Sequence, residues 1–167
     1  MNRLQKIIII ITAIFFAKVA YPCSCIGLKK ITEENYQNAG EIFIGEIIAI
    51  KELESTYEKL LTFKVKRSLK NDNITRTIVV KTALDAAACG LDAEIGFRYY
   101  VFAHYDDDGI LYAGLCGRSV HLNKKFDKRR IFFYGIKHAI LEKRSYKKNL
   151  KRFRSEKRFI RKIKNAP

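Results

Sequence analysis

The chain has 167 residues, a formal net charge of +16 and four cysteines. Its charge lies at one end, because residues 118–167 hold 19 Lys and Arg against 3 Asp and Glu, whereas residues 1–117 hold equal numbers of the two kinds. This distribution excludes a uniformly basic protein and indicates one electrically balanced domain followed by a cationic extension.

Residues 1–20 have the layout of a secretory signal peptide. Two basic residues precede an apolar run at residues 7–17, and Lys18 closes that run well short of the roughly 20 residues that a membrane-spanning helix needs. Ala20 supplies the small residue that signal peptidase requires, so we expect a mature chain that begins at Tyr21. The protein is therefore expected to be exported, to the extracellular space, the periplasm or the cell envelope.

Export predicts an oxidising compartment, in which an even number of cysteines can pair completely. A bond between Cys23 and Cys25 would close a small strained ring, so each is expected to bond one of the distant cysteines, Cys89 and Cys116, and both pairings stay open. The alternative is a zinc site, but the chain has no C-x-x-C pair and its three histidines lack ligand spacing.

The mature domain, residues 21–122, begins with a short predicted helix. Thr32 has the side chain of an N-cap, Glu33 and Glu34 would complement the helix dipole in the first turn, and Gly40 is the predicted terminator. This pattern predicts a helix of roughly two turns.

Five apolar or alternating segments follow and predict strands. The first is almost continuously apolar, which predicts a buried strand that bends at Gly45. Residues 106–109 carry an Asp-Gly step, which predicts the hairpin between the last two strands. We predict a mainly β fold: a five-stranded OB-fold-like antiparallel barrel with a short N-terminal helix and a C-terminal helix plus basic tail. The five segments are residues 42–50, 61–66, 75–82, 97–104 and 110–115.

Beyond the barrel the apolar period becomes helical. Residues 123–142 are predicted to form a helix that packs on the barrel through a stripe of four side chains. These are Phe126, Phe133, Ile136 and Ile140.

Residues 143–167 hold 12 Lys and Arg against one acidic residue, Glu156. We interpret them either as a solvated tail or as a basic amphipathic tail that binds an anionic membrane or polysaccharide surface. On a membrane, a thin apolar stripe would insert. Its members are Tyr146, Leu150, Phe153 and Ile160.

Several short motifs occur in an order that is similar to that of one known family. They are Cys23-Ser24-Cys25, Ala88-Cys89-Gly90, Tyr100-Val101-Phe102-Ala103, and Asp108-Gly109 ahead of Cys116. As a set they resemble the netrin-like domain of the tissue inhibitors of metalloproteinases, in a bacterial-type single-domain form, over residues 23–122. The resemblance implies an OB-fold barrel with disulfide bonds Cys23 to Cys89 and Cys25 to Cys116.

In that family an inhibitory ridge is built from the first residues and the loop that holds the partner cysteine. The first cysteine chelates the zinc of the target protease through its α-amino group and carbonyl, a role open to Cys23 only if it is the mature N-terminus. Ser24 would enter the specificity pocket of the protease. We call the matching residues the ridge: Cys23, Ser24, Cys25, Ile26, Gly27, Ala87, Ala88, Cys89 and Gly90.

The sequence favours a binding module over an enzyme, because its scattered histidines accompany no motif that supplies a nucleophile and a base. No cofactor is expected. The resemblance implies a metalloprotease or another exported protein as partner, with inhibition through the ridge. The alternative is an envelope or matrix module without inhibitory activity, attached to anionic surfaces by its tail. A nucleic-acid partner would suit a barrel combined with a basic tail, but export argues against it.

Overall fold

The computed structural model describes residues 23, 25, 28–53, 55–72, 76–124 and 128–165, with side chains from residue 140 onward in the last range. The predicted signal peptide, residues 1–20, therefore lies outside the described residues, as do Ser24, Ile26 and Gly27 of the ridge.

The first helix, α1, spans Glu33–Gln37 and begins at the predicted cap. The Thr32 hydroxyl oxygen accepts a hydrogen bond from the Asn35 backbone N–H at 3.2 Å, and Asn35 Oδ1 accepts one from the Thr32 N–H at 3.2 Å. This capping box satisfies two donors that a helix N-terminus leaves open. The helix ends earlier than predicted, and the Gly40 N–H already donates to the Ala103 carbonyl in the barrel at 2.9 Å.

The described residues form six strands, of which five close into a barrel. The closing order is β1-β2-β3-β5-β4 with β4 pairing back onto β1, and β6 extends the sheet along β4. The predicted mainly β, OB-like barrel is confirmed. The pairing of β3 with β5 is parallel, which the sequence pattern did not predict. The strands are β1 Glu41–Leu53, β2 Glu58–Ser68, β3 Thr77–Ala83, β4 Arg98–Tyr105, β5 Leu111–Tyr112 and β6 Val120–His121.

The long strand β1 bends at Gly45 as predicted. Its pairing with β2 shifts register between Ile44 and Gly45, and a Cβ at Gly45 would lie 3.0 Å from the Phe43 ring and 3.2 Å from the Lys64 carbonyl oxygen. Ile48 is exposed, so the second half of β1 is less buried than its apolar sequence predicted.

Side chains fill the barrel interior from alternate positions of the strands. The Phe63 ring lies edge-on to two neighbours, with its centroid 5.5 Å from that of Phe43 and 6.4 Å from that of Tyr99. This inner cluster consists of Phe43, Ile47, Leu61, Phe63, Ile78, Val80, Leu91, Tyr99, Val101, Ala103 and Ala113.

A second apolar cluster lies on the outer face of β1 and β4. Tyr99 and Val101 belong to the inner cluster, and the intervening Tyr100 and its neighbour Phe102 belong to the outer one, as strand alternation requires. The outer cluster consists of Tyr36, Ala39, Ile42, Leu69, Tyr100, Phe102, Val120 and Ile160.

The second helix, α2, spans Lys128–Lys164 without interruption. The predicted division into a packing helix at residues 123–142 and a separate tail at 143–167 therefore corresponds to no break in the structure. Ile140, predicted to face the barrel, is exposed. Of the other predicted stripe residues, Phe126 lies outside the described residues, and the side chains of Phe133 and Ile136 are not described.

The second half of α2 packs on the outer cluster. Ile160 is buried there, the Phe153 ring centroid lies 4.9 Å from that of Tyr100, and the Tyr146 hydroxyl donates to the Leu122 carbonyl at 2.9 Å. This arrangement corrects the predicted membrane insertion, because the barrel already removes the apolar stripe from water. The stripe residues are Tyr146, Leu150, Phe153 and Ile160.

A buried ion pair joins α2 to the barrel. Glu156 is 2% exposed and Arg118 is 8% exposed, and Arg118 Nη1 donates to Glu156 Oε1 at 2.7 Å. Arg118 Nη2 also donates to Asn35 Oδ1 at 3.1 Å and to the Lys29 carbonyl at 3.2 Å. The Tyr100 hydroxyl donates to Glu156 Oε2 at 3.2 Å, and burial followed by the nearby carboxylate raises the Tyr100 pKa. The pair therefore connects α2, the barrel and the segment around α1.

We expect Glu156→Ala to lower the free energy of unfolding by about 3–5 kcal/mol, because it leaves the Arg118 guanidinium buried without its counter-charge. Equilibrium unfolding in urea measures the loss.

The matched control is Arg158→Ala, an exposed position on the same helix, which should change stability by less than about 0.5 kcal/mol. The double variant Arg118→Met with Glu156→Leu should recover most of the lost stability, since apolar side chains replace both charges. Equal losses from Glu156→Ala and Arg158→Ala would contradict the role of the ion pair.

Candidate functional site

Two disulfide bonds join the N-terminal segment to distant parts of the domain. Cys23 bonds Cys89 with a Cα–Cα distance of 5.3 Å, and Cys25 bonds Cys116 with a Cα–Cα distance of 5.0 Å. This confirms the pairing that the resemblance implied. Disulfides of this kind are typical of exported proteins, in agreement with the predicted export.

The two loops that carry Cys89 and Cys116 lie side by side because their backbones are hydrogen bonded. The Leu115 N–H donates to the Cys89 carbonyl at 2.7 Å. The two bonds consequently pack together, and Cys116 Sγ lies 3.3 Å from Cys23 Sγ and 3.6 Å from Cys89 Sγ.

The sulfur atoms of Cys23, Cys89 and Cys116 lie within 4.8 Å of one another, a spacing that a metal ion could bridge. A zinc ligand is a thiolate, whereas these sulfur atoms are bonded in disulfides. While the disulfides are intact, these sulfur atoms cross-link the chain, and the cluster does not support the alternative of a zinc site.

One aspartate holds the turn that leads to Cys89. Asp85 Oδ1 accepts a hydrogen bond from the Ala88 N–H at 2.9 Å, the Tyr57 hydroxyl donates to Asp85 Oδ2 at 2.8 Å, and the Gly90 N–H donates to the Asp85 carbonyl at 2.7 Å. The Ala88 hydrogen bond, followed by that of Tyr57, holds the pKa of Asp85 below its ordinary value. These contacts keep the turn in one conformation, in which Cys89 has a φ of 65°.

The structure places the described ridge residues at different depths. Cys23 is half-buried, whereas Gly90 is buried, and a Cβ at Gly90 would lie 2.0 Å from the Ala83 carbonyl oxygen. Gly90 therefore supports the ridge from beneath instead of contacting a partner. The exposed members are Cys25, Ala87 and Ala88.

Three residues that extend or support the ridge were not predicted from the sequence. Ala86 is exposed beside Ala87 and widens the ridge. Asp85 could have been found, because an aspartate ahead of small residues is a common turn signal. Tyr57 could not, because it lies 28 residues from Asp85 and no local pattern marks the contact.

Apolar side chains and a cavity lie beside the exposed ridge. Leu115 is 45% exposed and Leu28 is 37% exposed. Together with Cys25 and Cys116 they line a cavity of about 610 Å³ between the barrel and α2. The described part of the ridge carries no charged side chain, and its border combines the two leucines with charged residues of the same cavity, such as Lys148 and Arg152.

The two histidine side chains in the described residues have structural surroundings. His104 Nδ1 lies 3.2 Å from the Asn38 carbonyl oxygen. The His121 ring centroid lies 4.3 Å from that of Phe97 and 4.8 Å from that of Tyr99, and burial lowers the His121 pKa. Its aromatic surroundings therefore favour the neutral form of His121. The expectation of a binding module in place of an enzyme stays a prediction.

The chain matches none of the models of known protein families, and no curated protein sequence matches it. A relation to the netrin-like domain of the tissue inhibitors of metalloproteinases therefore rests on the motifs, the barrel and the disulfide pairing.

Replacing Cys23 and Cys89 together by alanine should lower the free energy of unfolding by about 2–5 kcal/mol, because the unfolded chain regains the freedom that a long closed loop removes. Unfolding in urea, with and without reductant, measures the effect. Reductant should destabilise the parent more than the variant, which has one bond fewer to lose. A variant as stable as the oxidised parent would contradict this role.

We also expect Asp85→Ala to accelerate hydrogen exchange of the Ala88 amide. The pKa of Asp85 in the folded protein is lower than its ordinary value of 3.8. The ionised carboxylate therefore stabilises the turn fully above pH 3.8, and this stabilisation is lost as the pH falls through the folded pKa. Protection of Ala88 in the parent should therefore persist down to that ordinary value and disappear below it. Asp107→Ala, at the exposed hairpin, is the control and should leave Ala88 exchange unchanged.

Proposed function

We propose that this protein is an exported, non-enzymatic binding module that engages an exported protein through its ridge. The observation that carries the proposal is that both disulfide bonds hold the N-terminal segment beside an exposed turn, Ala86–Ala88. A surface fixed in this way loses little conformational entropy on binding, so more of its contact energy contributes to affinity.

The composition of this surface supports a protein partner. Alanine side chains allow another backbone to approach closely, and the neighbouring Leu28 and Leu115 supply apolar surface that a partner can cover. No charged side chain is needed at the centre of such an interface, and the ridge has none in the sequence.

The partner that the resemblance supports is a zinc metalloendopeptidase. Inhibition of that kind requires the α-amine of Cys23 to be free, because a neutral amine and the adjacent carbonyl together displace the water that the protease zinc activates. If Tyr21 and Pro22 remain attached, Cys23 has an amide nitrogen, which is a poor ligand.

The second candidate is a module that binds without inhibiting. The specific observation in its favour is the sequence itself, because Tyr21 and Pro22 stand between the expected signal-peptidase site and Cys23. The same ridge would then bind its partner by surface contact alone.

The deciding experiment compares two oxidised forms of the protein, one beginning at Cys23 and one at Tyr21. We expect only the first to inhibit a panel of zinc metalloendopeptidases, because only it offers the amine and carbonyl. Mass spectrometry of the exported protein then shows which form exists. Equal inhibition by both forms, or none by either, would contradict zinc chelation.

A matched pair of variants locates the surface. Ala88→Trp places a bulky side chain on the exposed ridge and should abolish inhibition by the form that begins at Cys23 while leaving the melting temperature unchanged. Asp107→Trp places the same side chain on the exposed hairpin and should preserve inhibition. Loss of inhibition in both variants would move the functional face away from the ridge.

A further inference from the structure

The exposed basic residues of α2 form one continuous stripe. With about 100° of rotation per residue, seven of the exposed basic residues between Arg144 and Lys162 fall within a sector about 100° wide that is centred opposite Glu156, and they extend over roughly 27 Å of helix. We call this surface the cationic stripe. Its members, all exposed, are Arg144, Lys147, Lys151, Arg154, Arg158, Arg161 and Lys162.

The helix itself does not balance this charge. Glu156 is the single acidic residue from 143 to 167, and it is buried against Arg118 on the opposite face. Neighbouring members of the stripe stand three or four residues apart, as Lys147 does from Lys151, a spacing at which like charges repel and destabilise a helix. An anionic partner would relieve that repulsion.

The docked position of α2 determines how a partner can approach. Phe153, Glu156 and Ile160 face the barrel, so the stripe faces away from it. A flat anionic surface laid along the stripe could contact all seven long side chains, whereas one extended polymer would follow a single row of them.

We propose that the cationic stripe holds the protein flat on an anionic lipid bilayer. This goes beyond the proposed function, because it assigns a second surface that is separate from the ridge. Attachment is electrostatic, since Leu150, Phe153, Ile160 and Ile163 of α2 are packed against the barrel and are not free to insert. None of the described helices combines the length and apolar character needed to cross a bilayer.

The test is co-sedimentation of the full mature protein with vesicles of phosphatidylglycerol and phosphatidylcholine, and with vesicles of phosphatidylcholine alone. We expect binding only to the anionic vesicles. Neutralising four stripe residues should lower the partition coefficient about tenfold or more. The variant carries Lys147→Gln, Lys151→Gln, Arg154→Gln and Arg158→Gln.

A control with the same change in net charge separates the stripe from the total charge. It neutralises four exposed basic residues of the barrel domain and should retain most of the binding. The control carries Lys51→Gln, Lys64→Gln, Arg76→Gln and Arg98→Gln. Circular dichroism and thermal unfolding should show that both variants remain folded. Equal losses of binding from the two variants would overturn the proposal.

Salt and competing polyanions distinguish the remaining outcomes. Binding to anionic vesicles should be fully reversed by high salt, because exposed charges are screened beyond about 3 Å at 1 M ionic strength. Salt-resistant binding would mean that apolar side chains insert, and would overturn the docked, flat arrangement. Tighter binding to dextran sulfate or to a single-stranded oligonucleotide than to anionic vesicles, at equal salt, would overturn the choice of lipid.

Discussion

Glu156 is the single acidic residue from 143 to 167, and its ion pair with Arg118 determines how α2 lies on the barrel. A carboxylate buried without a counter-charge is strongly unfavourable, so the helix is stable in the docked position only with Glu156 turned toward Arg118. Because the seven members of the cationic stripe occupy the opposite face, this contact separates an apolar inner side of the docked part of α2 from a cationic outer side. Through this ion pair, a segment that the sequence predicts as a tail packs on the barrel as part of the fold.

Arg118 also helps to hold the N-terminal segment that contributes to the ridge. Arg118 donates to the carbonyl of Lys29, and two residues earlier Cys116 forms the disulfide bond to Cys25. The N-terminal segment is therefore held at two points against one short stretch of the domain, and the bond from Cys23 to Cys89 adds a third. These three tethers hold the described residues Cys23, Cys25 and Lys29 at one edge of the proposed binding surface.

The sequence predicts those features of the fold that depend on local patterns. Alternation is long in β2, β4 is an almost continuous apolar run, and glycine marks the irregularity of β1 at Gly45, so these elements are recognisable. Strand β6 has two residues, too few for a period to emerge, and β5 keeps only two of the six residues, 110–115, that predicted a strand. The stripe that includes Phe153 and Ile160 is equally suited to a membrane and to a barrel, and only the long-range partner of Glu156 decides between them. The pairing of the cysteines likewise depends on which loops meet, which local spacing does not specify.

The two proposed surfaces differ in their physics, and this makes them separable in one sample. The described ridge is uncharged and bordered by Leu28 and Leu115, so contacts there depend on buried apolar area and change little with added salt. The cationic stripe lies across a helix about 10 Å in diameter from the docked face. That distance exceeds the screening length of about 8 Å at physiological ionic strength, so charges on the stripe influence exposed groups on the far side only weakly. Added salt should therefore release the protein from an anionic surface while the ridge keeps its partner, and the binding module would function in solution as it does on a membrane.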